Sequence, residues 1–368
     1  MPRPTDSKVL VGTGKGLIEF RKDIDKWKVA AVHFPGYPVS ALLIDDRNHC
    51  WWACLAHRHW GQKIHRSFDE GLSWESVPCP NYPTGACIKP DKPAFLKKIW
   101  VLAKGGNDQP ETLWMGTEPG GLFVSHDGGN HFELVNSLWD HPSRQREWFG
   151  AGRDQPFIHS VVVNPNDSNH VYVAISCAGV FETTDGGASW VPRNKGLKAA
   201  YLPNPNVEIG HDPHLLLACD CQPEVMWQQN HCGIYRTTDA GKTWTDVSGK
   251  DGFPYYGFAL AIDPQDPLKA WVIPAVSDEM RIAHNMALSV CHTRDGGASW
   301  IPLRNGLPQE YCFDIVFRHS LIRQGQTLVF GTSTGNLFIS EDDGATWQVL
   351  SHHLASVDCL AIQLKNYT

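Results

Sequence analysis

Thr183-Thr-Asp185-Gly-Gly187-Ala-Ser-Trp190 does not stand alone in this chain of 368 residues. It returns as Ser67-Phe-Asp69-Glu-Gly71-Leu-Ser-Trp74, Ser125-His-Asp127-Gly-Gly129-Asn-His-Phe132 and Thr237-Thr-Asp239-Ala-Gly241-Lys-Thr-Trp244. Two further copies are Thr293-Arg-Asp295-Gly-Gly297-Ala-Ser-Trp300 and Ser340-Glu-Asp342-Asp-Gly344-Ala-Thr-Trp347. The closing aromatics are 58, 58, 54, 56 and 47 residues apart, a period that signals a repeat architecture. Asp accepts hydrogen bonds from nearby amides and holds a tight turn, and Gly takes backbone angles that other residues resist. The aromatic is expected to start the next strand and bury its ring under the turn. The phrase therefore reads as a hairpin staple.

Outward from each copy the same order repeats. An apolar strand such as Val161-Val-Val-Asn164 ends in a polar turn, and a second such as Val171-Tyr-Val-Ala-Ile175 follows. A loop, a strand entering the phrase and a final strand complete the unit. Four strands per unit make a propeller blade. Blades are expected to begin near Ser40, Leu96, His159, Asn206, Phe258 and Cys312. Val357–Leu364 has the first-strand pattern with no blade after it, and the N-terminal strands lack a first partner. Joined, they make a seventh blade whose phrase has decayed to Arg21-Lys-Asp23-Ile-Asp25-Lys-Trp27, which removes free sheet edges. The expectation is all-β: one seven-bladed propeller domain over residues 1–368, of four-stranded antiparallel blades.

The phrase resembles the Asp-box, or bacterial neuraminidase, repeat of sialidases, xyloglucanases, sortilin and a photosystem II assembly factor. In that superfamily the box joins the third and fourth strands of a blade, on the face opposite the ligand site. The resemblance implies that Asp69, Asp127, Asp185, Asp239, Asp295 and Asp342 are structural. It also raises glycoside hydrolysis as an activity. Sialidases, however, carry an Arg-Ile-Pro motif near the N-terminus and a carboxylate-gripping arginine triad, on six blades. This sequence has no Arg-Ile-Pro. The xyloglucanases use two tandem propellers with catalytic aspartates, and the chain has length for one.

The net charge of −7 argues against nucleic acid as a partner, and no stretch approaches the roughly 20 apolar residues of a membrane span. Residues 1–8 lack the apolar core of a signal peptide. The 11 cysteines follow no ligand spacing; several, including Cys291, Cys312 and Cys359, fall in expected strands, as reduced thiols of a cytoplasmic protein would.

Function is then expected on the loops opposite the boxes, where three are long: 136–157, 219–231 and 276–287. Carboxylates, imidazoles, guanidiniums and Trp around one mouth suit a polar small molecule, and Trp with carboxylates suits a sugar. Glu118 with Glu279 is the preferred acid and base or nucleophile pair, with Glu224 as substitute. His159, His231, Trp227, Arg281, Trp148 and Arg58 are candidate substrate contacts. His211 and His214 read as a turn on the box face and Arg144 and Arg146 as solvated loop charges, while the structural alternative for Glu279 and Arg281 is an exposed ion pair. Three functions follow: a glycoside hydrolase, a non-catalytic propeller binding a ligand or protein, and a metal-assisted hydrolase or lyase. In the third, His159, His231 and Glu118 would hold a divalent metal; nothing in the sequence requires a cofactor.

Overall fold

The phrase folds as a closed hydrogen-bonded loop. Thr183 Oγ1–H donates to Asp185 Oδ1 at 2.6 Å and accepts the Gly187 N–H at 2.9 Å. Asp185 accepts the Ser189 N–H at 2.9 Å and the Ser189 hydroxyl at 2.6 Å. Gly187 sits at φ +92°, a conformation that a side chain would strain. The same bonds recur at Asp69, Asp239, Asp295 and Asp342. At Asp127 the His131 ring replaces the hydroxyl, with Nδ1 at 2.7 Å.

These turns join the third and fourth strands of a regular series. The computed structural model describes residues 7–24, 26–150 and 152–365. Seven four-stranded antiparallel sheets form the ring, with a two-stranded ribbon at Cys87–Lys89 and Lys92–Pro93. Counting from Val39, the innermost strands of blades one to six are Val39–Asp45, Lys98–Lys104, Ile158–Asn164, Pro213–Cys219, Gly257–Asp263 and Leu321–Gln324. The seventh blade is Val357–Gln363 paired with Lys8–Thr13, then Gly16–Asp23 and Lys26–His33. Ring closure by one C-terminal strand and three N-terminal ones is therefore as expected. Asp25 of the decayed phrase and residues 1–6 lie outside the described residues. No described helix is long and apolar enough to cross a membrane.

The core of the described residues is a cycle of seven clusters, each between neighbouring blades, with two smaller clusters beside it around Phe258 and Trp139. Trp114 and Leu122 of blade two meet Val171, Val173 and Phe181 of blade three; Val9 and Val11 of blade seven meet Val329 and Ile339 of blade six. The box aromatics act across the same seams rather than only under their own turns. Trp190 Nε1–H reaches Ser137 Oγ at 3.2 Å, Trp244 reaches the Arg193 carbonyl at 2.8 Å and Trp300 the Val247 carbonyl at 2.7 Å. Each acceptor follows the outermost strand of the preceding blade.

Three boundaries differ from expectation. The first strand of blade four begins at Pro213, not near Asn206, and that of blade six at Leu321, not near Cys312. Cys312 is buried in irregular chain ahead of that strand. Residues 219–231 are not a loop: after a turn at Asp220, the strand Gln222–Asn230 runs up to His231. Asp212 and His214 consequently enter at the face opposite the boxes. All eleven cysteines are free, most of them buried.

Two outcomes test this packing. Trp190→Ala should destabilise by about 3–5 kcal/mol in chemical denaturation, and Asp185→Ala by less, with ligand binding on the far face unchanged in both. The second concerns acid. Burial would raise Glu182, but hydrogen bonds from His170, Tyr172 and Arg193 outweigh it and hold the carboxyl at about 2, against an ordinary 4.5. Burial holds His292 and His319 at about 4, against an ordinary 6.5. All three are depressed, so each contributes stability above its ordinary value that is lost as pH falls through its folded one. From these three groups the denaturation midpoint should be level above pH 6.5, fall towards about 4 where both imidazoles contribute, and continue to fall less steeply towards 2 as Glu182 takes up its proton.

Candidate functional site

At the mouth opposite the boxes, six of the seven innermost strands slip register by one residue. The slips leave Ser40, Trp100, His159, His214, Phe258 and Asp358 unpaired at equivalent positions. A bulge re-aims a side chain out of the regular alternation. Five of these six, all but His159, line a cavity of about 420 Å³ at the head of the central channel.

Strand ends and loops add the charged groups. Lys98, Glu118, Arg153, Asp212, His231, Asp278, Arg281, Arg318 and His319 share the wall with the rings of Phe157 and Phe317. Glu118 and Asp278 stand three blades apart in a ring of seven, as far apart as the ring allows. Glu118 ends its strand nearly buried, with its Oε2 accepting from Arg153 at 3.3 Å and from Trp100 Nε1–H at 3.4 Å. Arg281 pairs with Asp278, not Glu279, and lies 5.6 Å from the Phe258 ring centre. A Cβ on Gly152 would stand 3.7 Å from the Arg281 guanidinium, so the 136–157 loop reaches across the mouth towards blade five.

Arg318 is the unusual member. Its guanidinium lies 5.6, 5.1 and 5.1 Å from the ring centres of Trp100, Phe157 and Phe258. Among the described residues its buried Nε has no hydrogen-bond partner. Burial lowers its pKa to about 10, so it remains a cation at neutral pH. Lys98 Nζ rests 4.0 Å from the Trp100 ring centre, and burial lowers it too.

Beside Arg318 is an imidazole–carboxylate group. Asp212 Oδ2 is 3.4 Å from His214 Nε2 and 3.5 Å from His231 Nδ1. Its Oδ1 accepts the Ser176 hydroxyl at 2.7 Å and the Cys177 N–H at 3.3 Å. His214 Nδ1 contacts the Gly257 carbonyl at 2.6 Å, and its ring stacks on Phe258 at 4.3 Å. Burial pushes His214 below its ordinary value, and Asp212 only partly offsets this. Burial alone would raise Asp212; the two imidazoles and the Arg318 charge hold it well below the usual carboxylate range.

The other expected residues are elsewhere. Glu279 is exposed and outside the cavity wall, so it does not face Glu118. Glu224 is exposed near the lower end of its strand, beside the Ala240 turn. Trp227 is fully buried between blades four and five, and Trp148 is buried against Phe181 with its Nε1–H on Ser143. Both are core. Arg58 is exposed in a strand-joining turn away from the cavity wall. His159 is fully buried: Nε2–H donates to the Pro213 carbonyl at 2.8 Å, and Nδ1 accepts from Ser160 at 2.9 Å. It has no nitrogen left for a metal, so His159, His231 and Glu118 do not form a first shell; His159 instead braces the strand that carries His214. Arg144 is not a solvated charge, since it stacks 3.8 Å from Trp139 and donates to the Cys87 and Ile88 carbonyls. Asp212, His214, Arg318, Lys98 and Asp278 are the residues that sequence reasoning missed; the signal for several was a polar or aromatic residue near the start of each innermost strand.

No family model matches the chain. An oligoxyloglucan-reducing end-specific xyloglucanase of Emericella nidulans is 24% identical over 228 residues, covering 52% of this chain and 25% of that protein. A probable counterpart from Neosartorya fischeri is 24% identical over 220 residues, with the same coverage. The chain thus spans about a quarter of the length of these curated relatives. Among solved structures, an ancestral GH74 enzyme superposes with TM-score 0.57 at 15% identity, over 97% of this chain and 40% of that one. YCF48 bound to a D1 peptide superposes with TM-score 0.51 at 14% identity, over 100% and 96%. At these identities the likeness is one of fold.

Proposed function

We propose that this propeller is a carbohydrate-directed hydrolase whose substrate carries an anionic group and binds at the bulge-lined mouth. The observation that carries the reading is Arg318, a partly exposed cation whose buried Nε finds no acceptor among the described residues and which faces a cavity large enough for a small ligand. Leaving such a donor unmatched is costly unless a ligand completes it. Arg318 would hold the anionic group, with Lys98 adding charge, while the Trp100, Phe157 and Phe258 rings offer apolar faces to a sugar. Glu118, oriented by Arg153 and Trp100, is the carboxyl placed to exchange a proton with a glycosidic oxygen, and Asp278 is the carboxylate across the mouth. The partial sequence likeness to the xyloglucanases supports the hydrolase class. In this reading the six phrases are Asp-box repeats and the protein works in the cytoplasm.

A second reading, a non-catalytic binding propeller, is favoured by the exposure of Glu279, which leaves the Glu118–Glu279 pair unassembled. The same Arg318 would then grip the carboxylate of a peptide or small acid.

Three variants test these readings. Arg318→Gln should weaken binding of acidic oligosaccharides about 10- to 150-fold, the equivalent of a charge-assisted bond of ~1.5–3 kcal/mol, and leave neutral ones nearly unchanged. Glu118→Gln should abolish turnover and retain binding, whereas Glu279→Gln should leave turnover intact. Turnover that survives Glu118→Gln rejects Glu118 as the proton-exchanging carboxyl; tight binding of an acid without turnover by the parent protein rejects the hydrolase and selects the binding propeller.

A further inference from the structure

The geometry of Asp212, His214 and His231 points to a divalent-metal site of the zinc class, open to the mouth cavity. We infer it from three features that an ordinary ion pair does not explain.

The first is distance. Their ligand atoms all lie within 4.8 Å of one another. Asp212 Oδ2 stands 3.4 and 3.5 Å from the two imidazole nitrogens. A charge-assisted hydrogen bond would draw these pairs to about 2.7–2.9 Å. Donors about 2.0–2.2 Å from one tetrahedral ion are instead separated by roughly 3.4 Å.

The second feature is the direction of the lone pairs. The Gly257 carbonyl can only accept, so His214 Nδ1, at 2.6 Å, must carry the proton. In the neutral ring Nε2 is then a lone pair, and it faces a carboxylate oxygen with no hydrogen between them. A cation shared by the two atoms removes that conflict. Asp212 is prepared in the same way, because Ser176 and Cys177 occupy Oδ1 and leave Oδ2 free. Such outer partners are what metal ligands characteristically have.

The third feature is access. His231 is partly exposed, with side-chain accessibility of 25%, and all three groups line the cavity. Two nitrogens and one oxygen leave a coordination position facing that space, for a water or a ligand oxygen. One divalent ion on one carboxylate leaves a net positive centre beside Arg318. Together they would clamp an anionic ligand from two sides.

The site stands without the hydrolase reading, because metal uptake is measured on protein with no substrate present. Protein stripped with chelator should be titrated with cobalt(II) and its visible spectrum recorded. One cobalt per chain is expected, with a tetrahedral d–d envelope and no thiolate charge-transfer band, which distinguishes the site from Cys219 and Cys221. His231→Gln, at a partly exposed position, should weaken uptake at least tenfold. Asp212→Asn keeps an oxygen for Ser176 and Cys177 and should do the same. Retained far-UV circular dichroism shows that either variant is folded, and cobalt or zinc should raise the melting temperature of the parent protein but not of the variants. No uptake by the parent protein, a thiolate band, or uptake that both variants leave unchanged would overturn the site and leave an imidazolium–carboxylate pair in its place.

Discussion

The structure depends on the burial of both faces of every sheet against a neighbour. A four-stranded blade is apolar on both sides and cannot satisfy either alone. Seven inter-blade clusters in a cycle meet that need only if the last blade meets the first. Pairing Val357–Gln363 with Lys8–Thr13 does this, with Val9, Val11, Leu360 and Ile362 packed against blade six and Leu10, Leu17, Cys359 and Ala361 against blade one. Trp190, Trp244 and Trp300 add directional bonds to three of these seams. A ring closed in this way leaves as outer sheet edges mainly short outermost strands, such as Glu75–Val77 and Val191–Pro192, and holds its innermost strands at fixed spacing.

That fixed spacing is what gives the bulges their effect. One register slip at the same height in six strands points Ser40, Trp100, His159, His214, Phe258 and Asp358 out of the sheet pattern at one end of the channel. Five reach the cavity. His159, the exception, spends its two nitrogens on Ser160 and Pro213 and so fixes the backbone beside Asp212 and His214. Chemistry and support thus come from the same structural position in adjacent blades. The wall they build is only partly solvated, so charges there interact more strongly than at the surface.

The blades were legible in the sequence because Ser/Thr-x-Asp-x-Gly-x-x-Trp encodes a local hydrogen-bonded loop whose partners lie within four residues. Nothing distant is needed to form Thr183–Asp185–Ser189. The seventh blade was legible by elimination, from a strand without a blade and a blade without a strand. The site was not, since its residues come from six blades and meet only after closure. Placing the first strand of blade four near Asn206 instead of Pro213 puts His214, and Asp212 beside it, on the wrong face. Trp227 and Trp148 misled for a different reason: aromatic residues are as useful between blades as around a ligand, and composition does not separate the two.

The two faces also divide the work of their acidic residues. On the box face, aspartates such as Asp185 bind their own loop, with every strong acceptor site used by neighbours in sequence. At the mouth, Asp212 has one oxygen fixed by Ser176 and Cys177 and the other turned towards two imidazoles at distances too long for strong hydrogen bonds. Arg318 nearby is likewise oriented by packing on rings rather than by an acceptor. A carboxylate oxygen without a close donor and a guanidinium without a close acceptor are neighbours in one cavity, yet no close ion pair joins them. Each is held apart by a bulged strand or an aromatic face, so neither can relax into the other. Groups kept unsatisfied by a rigid frame are poised for what enters the frame, and their opposite signs call for a cation and an anion in contact with each other.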